Sequence, residues 1–262
     1  MFYQPDQLMY YPPEVTGFDY ENIYFHSHDR YRLHAWFFPS KTRKPIGTIV
    51  QFHGNAQNLT SHYLSLSWVV DYGYNLFIYD YRGYGESLGE PTPETVNKDA
   101  LVALDQALEL SEKTGTKNLI AYGQSLGGAV LLRALADSKI NEHISLLVLD
   151  STFLSYKTVA RQTLSRFVLT WPLSPLGYLL ISDEFAPEKT LASVKLPLLI
   201  IHDKGDRVIR YSNGEEINQH YTGPKEFWNI DHGTHVGIFF VEKGKYRSEF
   251  IKKISTLSKK YN

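Results

Sequence analysis

Five times between residues 47 and 202 the sequence returns to a short apolar run: Gly47–His53, Tyr74–Tyr79, Asn118–Tyr122, Ile144–Leu149 and Pro197–His202. Strands that are apolar on both faces must be covered on both faces, which is the signature of a parallel sheet. Segments of helical period separate the runs, so the alternation predicts an α/β protein with right-handed crossovers and helices on both faces of the sheet. Upstream, Asn22–His26 and Arg32–Phe38 flank the turn 28–31 and read as an antiparallel hairpin at the sheet edge. Lys225–Ile230 reads as the last strand.

The helical segments are less uniform. One follows the 53–58 loop and runs through Val70. Thr92-Pro93-Glu94 opens another with a cap, a proline and an early acid, and Gly115 closes it. A third spans Ala129–Leu135. Residues 155–182 break the alternation with Tyr156–Leu169, a proline-containing break and Leu176–Ile181, and are predicted to form a small helical lid. Pro187–Leu191, Asn213–Tyr221 and Val241–Ser258 complete the set. With no linker, repeat or low-complexity tract, residues 1–262 are expected to form one domain with the lid inserted in it.

A formal net charge of -1 gives no basic face for nucleic acid. The absence of cysteine excludes disulfides, thiolate metal sites and a cysteine nucleophile. No run reaches the roughly 18–20 apolar residues of a membrane span, and no signal peptide is visible, so a cytoplasmic location is expected. Aromatic residues crowd the first 40 positions, from Phe2 and Tyr3 to Phe38. Packing of an edge hairpin accounts for them. The sharper alternative is an aromatic belt that touches a membrane, left after an anchor. No metal or cofactor site is expected.

The polar residues gather where ligands bind parallel sheets, at the carboxyl ends of strands. They are 53–58, 80–87, 125, 150, 203–206 and 231–235. Ser125 stands in Gly123-Gln124-Ser125-Leu126-Gly127, between a strand and a helix. That is the Gly-x-Ser-x-Gly turn, which lifts a serine hydroxyl clear of the sheet. The plain alternative is a serine that only caps the helix.

A serine hydroxyl needs a base, and the base needs an orienting acid. For the acid, Asp206 follows a turn at Gly205 that aims it back over the sheet. Asp150 and Asp203 are the reserves, with Asp203 better suited to stabilising the turn. For the base, His235 follows a glycine turn and can reach the elbow, and His232 is its rival. The oxyanion of acyl transfer needs two N–H donors. Leu126, at the start of its helix, and Asn55, in the loop after the first parallel strand, are the candidates. His53 reads as structural.

Together Gly123–Gly127, His53-Gly54-Asn55-Ala56, Asp80–Ser87, Asp203–Asp206 and Gly233-Thr234-His235 resemble the α/β-hydrolase superfamily, over about residues 20 to 260. Within it the chain is similar to small-lid acyl-protein thioesterase-like and esterase-like members. Val236 departs from the small or acidic residue that many relatives place after the histidine. The resemblance implies a cofactor-independent serine hydrolase acting on a carboxylic ester or thioester of a small or lipid-like acyl group. Apolar lid residues, among them Phe153, Leu154, Phe167, Trp171 and Leu180, would suit an acyl chain. An amide-cleaving, aminopeptidase-like enzyme is the alternative, with Glu86, Asp183 and Glu184 offered to a substrate amine. A non-catalytic binding member of the fold is the third reading.

Overall fold

The apolar runs pair into one sheet. A computed structural model of the chain describes residues 3–116, 118–166, 172, 175 and 180–260. Its strands are β1 (Glu21–His26), β2 (Arg32–Phe38), β3 (Gly47–Phe52), β4 (Tyr74–Tyr79), β5 (Leu119–Gln124), β6 (Ile144–Asp150), β7 (Leu198–Asp203) and β8 (Lys225–Ile230). They lie in the order β1-β2-β4-β3-β5-β6-β7-β8. β2 is antiparallel to both β1 and β4, and every other neighbouring pair is parallel. The expected mostly parallel sheet with an antiparallel hairpin is therefore present.

Around it lie α1 (Pro13–Thr16), α2 (Leu59–His62), α3 (Pro93–Lys113), α4 (Leu126–Asp137), α5 (Tyr156–Leu164), α6 (Tyr211–His220) and α7 (Lys245–Lys260). Successive side chains of a strand point to opposite faces, so each strand feeds two cores. Val50, Phe52, Ala121, Leu147 and Leu149 pack with α3 and α4 on one face. Ile49, Ile120, Tyr122, Leu146 and Val148 pack with residues 59–70 and with Phe250, Ile254 and Leu257 of α7 on the other. Among the described residues no helix is long and apolar enough to cross a membrane.

Three helices differ from expectation. The segment through Val70 is not one helix: α2 ends at His62 and two 3-10 turns follow, Tyr63–Ser65 and Ser67–Tyr72. The buried Gln51 amide donates to the His62 carbonyl at 3.0 Å, and the Trp68 indole donates to the Ser65 carbonyl at 2.7 Å. Both draw acceptors out of a helical ladder. The last helix is also split. Glu242 and Lys243 have φ of 46° and 56°, and Arg247 donates to the Phe239 carbonyl at 3.1 Å ahead of α7. The expected helix Tyr156–Leu169 closes at Leu164 with Ser165 as its cap. Of the predicted lid, residues 167–171, 173, 174 and 176–179 lie outside the described residues, and with them most of the second lid helix.

The strand order also fixes where a site can form. From β3 the chain runs to β4 on one side and later to β5 on the other. The carboxyl ends of β3 and β5 thus flank the point where the winding reverses, the usual place for a ligand in open α/β sheets.

Candidate active site

Ser125 sits between β5 and α4 with φ 51° and ψ −118°, a backbone shape that L-residues rarely adopt. The turn is held by Ser125 N–H to the Asp150 carbonyl at 2.9 Å, and by the Thr152 hydroxyl to the Ser125 carbonyl at 2.6 Å. Its side chain makes no capping bond to α4, so the helix-cap reading of Ser125 does not hold. The flanking glycines are required by space. A Cβ on Gly127 would lie 2.1 Å from the Phe52 carbonyl oxygen, and one on Gly123 2.5 Å from Gly128 Cα. Ser125 is 8% exposed, at the mouth of the β3–β5 switch.

Asp206 and His235 meet beyond the carboxyl ends of the neighbouring strands β7 and β8. His235 Nδ1 lies 2.8 Å from Asp206 Oδ2, with the Asp206 side chain fully buried and that of His235 19% exposed. The other Asp206 oxygen accepts the Val208 and Ile209 N–H groups at 2.7 and 3.0 Å. Both Asp206 oxygens are thus engaged before a substrate arrives.

The two reserve acids are employed elsewhere. Asp203 accepts N–H groups of Gly205, His232, Gly233 and Thr234 at 2.8–3.0 Å. Burial works against its charge, yet those four bonds overcome it and leave its pKa below the usual carboxylate range. It shapes the loop that presents His235. Asp150 takes the Tyr122 hydroxyl at 2.7 Å and that of Ser151 at 3.1 Å, and burial raises its pKa to about 6. His232 turns away, with Nε2 2.6 Å from the Tyr246 hydroxyl.

The Asp150 shift has a sign that can be tested. Its folded-state pKa of about 6 lies above the roughly 3.9 of an unfolded aspartate, so the fold prefers the protonated form. That contribution is present below about pH 4 and is lost as pH rises through 6. Asp150→Asn is uncharged throughout. Its stability relative to the parent should therefore rise by about 1–3 kcal/mol between pH 4 and 7 and then level off. Denaturant unfolding at several pH values checks this, and parallel curves for the two proteins would contradict it.

The oxyanion candidates also gather here. Leu126 is the first residue of α4, where N–H groups lack intrahelical acceptors. In the loop after β3, a Cβ on Gly54 would lie 3.8 Å from Ser125 Cβ, so that loop runs beside the elbow. His53 plays the structural part expected of it, with Nδ1 2.7 Å from the Gly54 carbonyl and Nε2 3.2 Å from the Asp80 carboxylate. The Asn55 side chain is already engaged: its Oδ1 accepts the Gln4 N–H at 3.0 Å and the Tyr84 hydroxyl at 2.9 Å.

Sequence reasoning missed two neighbours of this loop. His62, at the end of α2, stacks on His53 with centroids 5.1 Å apart and places Nε2 2.8 Å from the Ala56 carbonyl. Burial, then His53, lowers its pKa to about 3, so the ring is neutral and Nε2–H donates. His235 lowers it further. The only sequence signal was a histidine one turn beyond the Asn58 cap. Gln4 was missed because nothing local links the amino-terminal segment to residue 55.

Among the described residues His28, Asp29 and Asp99 are close enough together to hold a metal ion. Arg82 already donates to both carboxylates at 2.6–3.0 Å and so occupies oxygens that an ion would need.

The comparisons with known proteins agree with this fold. A family model described as "Serine aminopeptidase, S33" matches residues 43–189. The Escherichia coli (strain K12) protein YfhR, itself uncharacterised, is 35% identical over 255 residues, spanning 95% of this chain and 84% of that protein. The Pyrococcus furiosus esterase Pf2001 superposes with a TM-score of 0.75 at 21% identity, covering 100% of this chain and 98% of the esterase. A Pyrococcus horikoshii acylaminoacyl peptidase gives 0.72 at 19% identity, covering 94% of this chain and 42% of the peptidase.

Proposed function

The chain belongs to the serine aminopeptidase, S33, family of α/β hydrolases, and we propose that it cleaves a carboxylic ester or thioester through an acyl-enzyme on Ser125. The observation that carries this reading is the His235–Asp206 pair at 2.8 Å, at the same carboxyl end of the sheet as a strained serine whose side chain caps no helix.

In the proposed reaction the Ser125 hydroxyl attacks the substrate carbonyl carbon while His235 Nε2 takes its proton. Asp206 holds Nδ1–H and stabilises the imidazolium that forms. The oxyanion is met by the N–H groups of Leu126 and Asn55, aided by the amino-terminal dipole of α4. Collapse expels the alcohol or thiol, which takes the proton back from His235. Water then attacks the acyl-enzyme with His235 again as base, releasing the acid and restoring Ser125.

The ester or thioester is preferred to the amide because two of the three carboxylates suited to a free amine already accept hydrogen bonds. Asp183 accepts the Ser155 hydroxyl at 2.7 Å and the Lys157 N–H at 3.1 Å, and Glu86 accepts the Tyr24 hydroxyl at 2.6 Å. Phe153 and Leu154 are buried in the core, where packing accounts for them, and Phe167 and Trp171 lie outside the described residues.

A fluorophosphonate probe tests the reading. One probe per chain on the parent and none on Ser125→Ala, by intact mass, is expected. A folded parent that stays unlabelled by small and large probes alike overturns it. With labelling established, turnover of a short acyl ester against an aminoacyl amide separates esterase from aminopeptidase.

A further inference from the structure

The amino-terminal segment does not pack as part of the edge hairpin. Residues 3–11 cross the carboxyl ends of β3 and β4 as a strap bonded mainly to the loops of the site. The Gln4 N–H is shared between Asn55 Oδ1 and the Tyr84 hydroxyl, both at 3.0 Å. The Asn58 amide donates to the Asp6 and Leu8 carbonyls at 3.0 and 2.8 Å. The Gly85 N–H reaches Asp6 at 2.9 Å, and Tyr10 and Tyr11 bond to Thr60. Tyr3 anchors the end of the strap. It is buried, and burial together with the hydroxyls of Tyr156, Tyr81 and Tyr84 raises its pKa. Tyr156 begins α5, at the root of the expected lid.

We propose that the strap is a working part of the site: through the Gln4 N–H it fixes Asn55, and with Asn55 the oxyanion donor. The inference rests on the acyl-transfer reading above. The loop 53–58 has left β3 and has no ladder bonds of its own. His62 holds it at the Ala56 carbonyl and the strap holds it at Asn55. A donor stabilises an oxyanion only when it is fixed before charge develops, and small displacements forfeit the effect. Gln4 is thus a positioning residue, acting through its backbone rather than through its exposed side chain.

The test compares Gln4→Pro, which deletes the N–H, with Gln4→Ala, which keeps it. Against Gln4→Ala, the proline variant should lose about three- to tenfold in kcat on a short acyl ester and in fluorophosphonate labelling rate, the worth of one hydrogen bond. KM should stay within about twofold, because the donor acts on the transition state. In an Asn55→Ala background the same exchange should change nothing further, since the two act as one unit. Equal kcat for the two Gln4 variants, or losses that multiply with Asn55→Ala, overturns the proposal. If Gln4→Pro does not fold, deletion of residues 1–4 removes the same N–H and leaves the Tyr84–Asn55 bond in place. It should give a fall of the same sign in kcat alone, and an unchanged kcat counts against the strap. Endpoint labelling of Ser125 keeps the outcomes separate. A parent that never labels refutes the acyl-transfer reading, whereas full labelling at identical rates refutes only the strap.

Discussion

Ser125→Ala is expected to reduce ester hydrolysis by about 10⁴–10⁶-fold while leaving a folded protein. The substitution removes one oxygen from a side chain that makes no capping bond, so no helix end is lost with it. A fall of less than about tenfold would remove Ser125 from the mechanism. The backbone supplies a second readout at the same position. With φ at 51° and ψ at −118°, residue 125 pays about 1–3 kcal/mol for its conformation, and alanine pays the same. Glycine is free of that cost, although its greater freedom in the unfolded chain returns part of the gain. Ser125→Gly should therefore be as inactive as Ser125→Ala yet melt about 2–4 °C higher. Strain held for function predicts this pairing, whereas a turn of no consequence predicts the reverse order of stability.

The parts legible in the sequence are those governed by short-range pattern. The apolar run Tyr74–Tyr79 gave β4 with its ends, and Thr92-Pro93 gave the start of α3. The elbow was legible because its glycines are required by contacts within one strand–turn–helix unit. Asp206 and His235 were legible as a possible pair because each lies in the loop after a strand, β7 and β8, and they do meet at 2.8 Å. What escaped were bonds set by tertiary geometry. Gln51 reaches into the following segment and breaks a helix that its own sequence favours. His62 and Gln4 act on the 53–58 loop from α2 and from a strap about fifty residues upstream, and no periodicity encodes either contact. The early aromatics were legible only in part. Trp36, Phe37 and Phe38 do pack in the hairpin, but Tyr3 leaves it for the site.

Asp206→Asn is expected to lower kcat by about 10⁴-fold, and the hydrogen bonds around Asp206 say why. The Val208 and Ile209 N–H groups both point at Oδ1. An asparagine there must turn its carbonyl oxygen toward them, since its amide nitrogen cannot accept. The amide N–H₂ is then left facing His235 Nδ1, which in the parent lies 2.8 Å from a carboxylate oxygen. The imidazole relieves the donor–donor clash by moving its proton to Nε2, the atom that must accept the Ser125 proton. The base is thus blocked by its tautomer, with ring position, fold and substrate binding nearly unchanged, so KM should move little. Asp150→Asn is the matched control, because Asp150 bonds to Tyr122 and Ser151 rather than to His235. Its kcat should stay within about tenfold of the parent while its stability profile shifts with pH. If Asp150→Asn instead costs more activity than Asp206→Asn, the orienting acid is Asp150. The His235–Asp206 contact would then be a structural pair, and the order of the two losses decides between them.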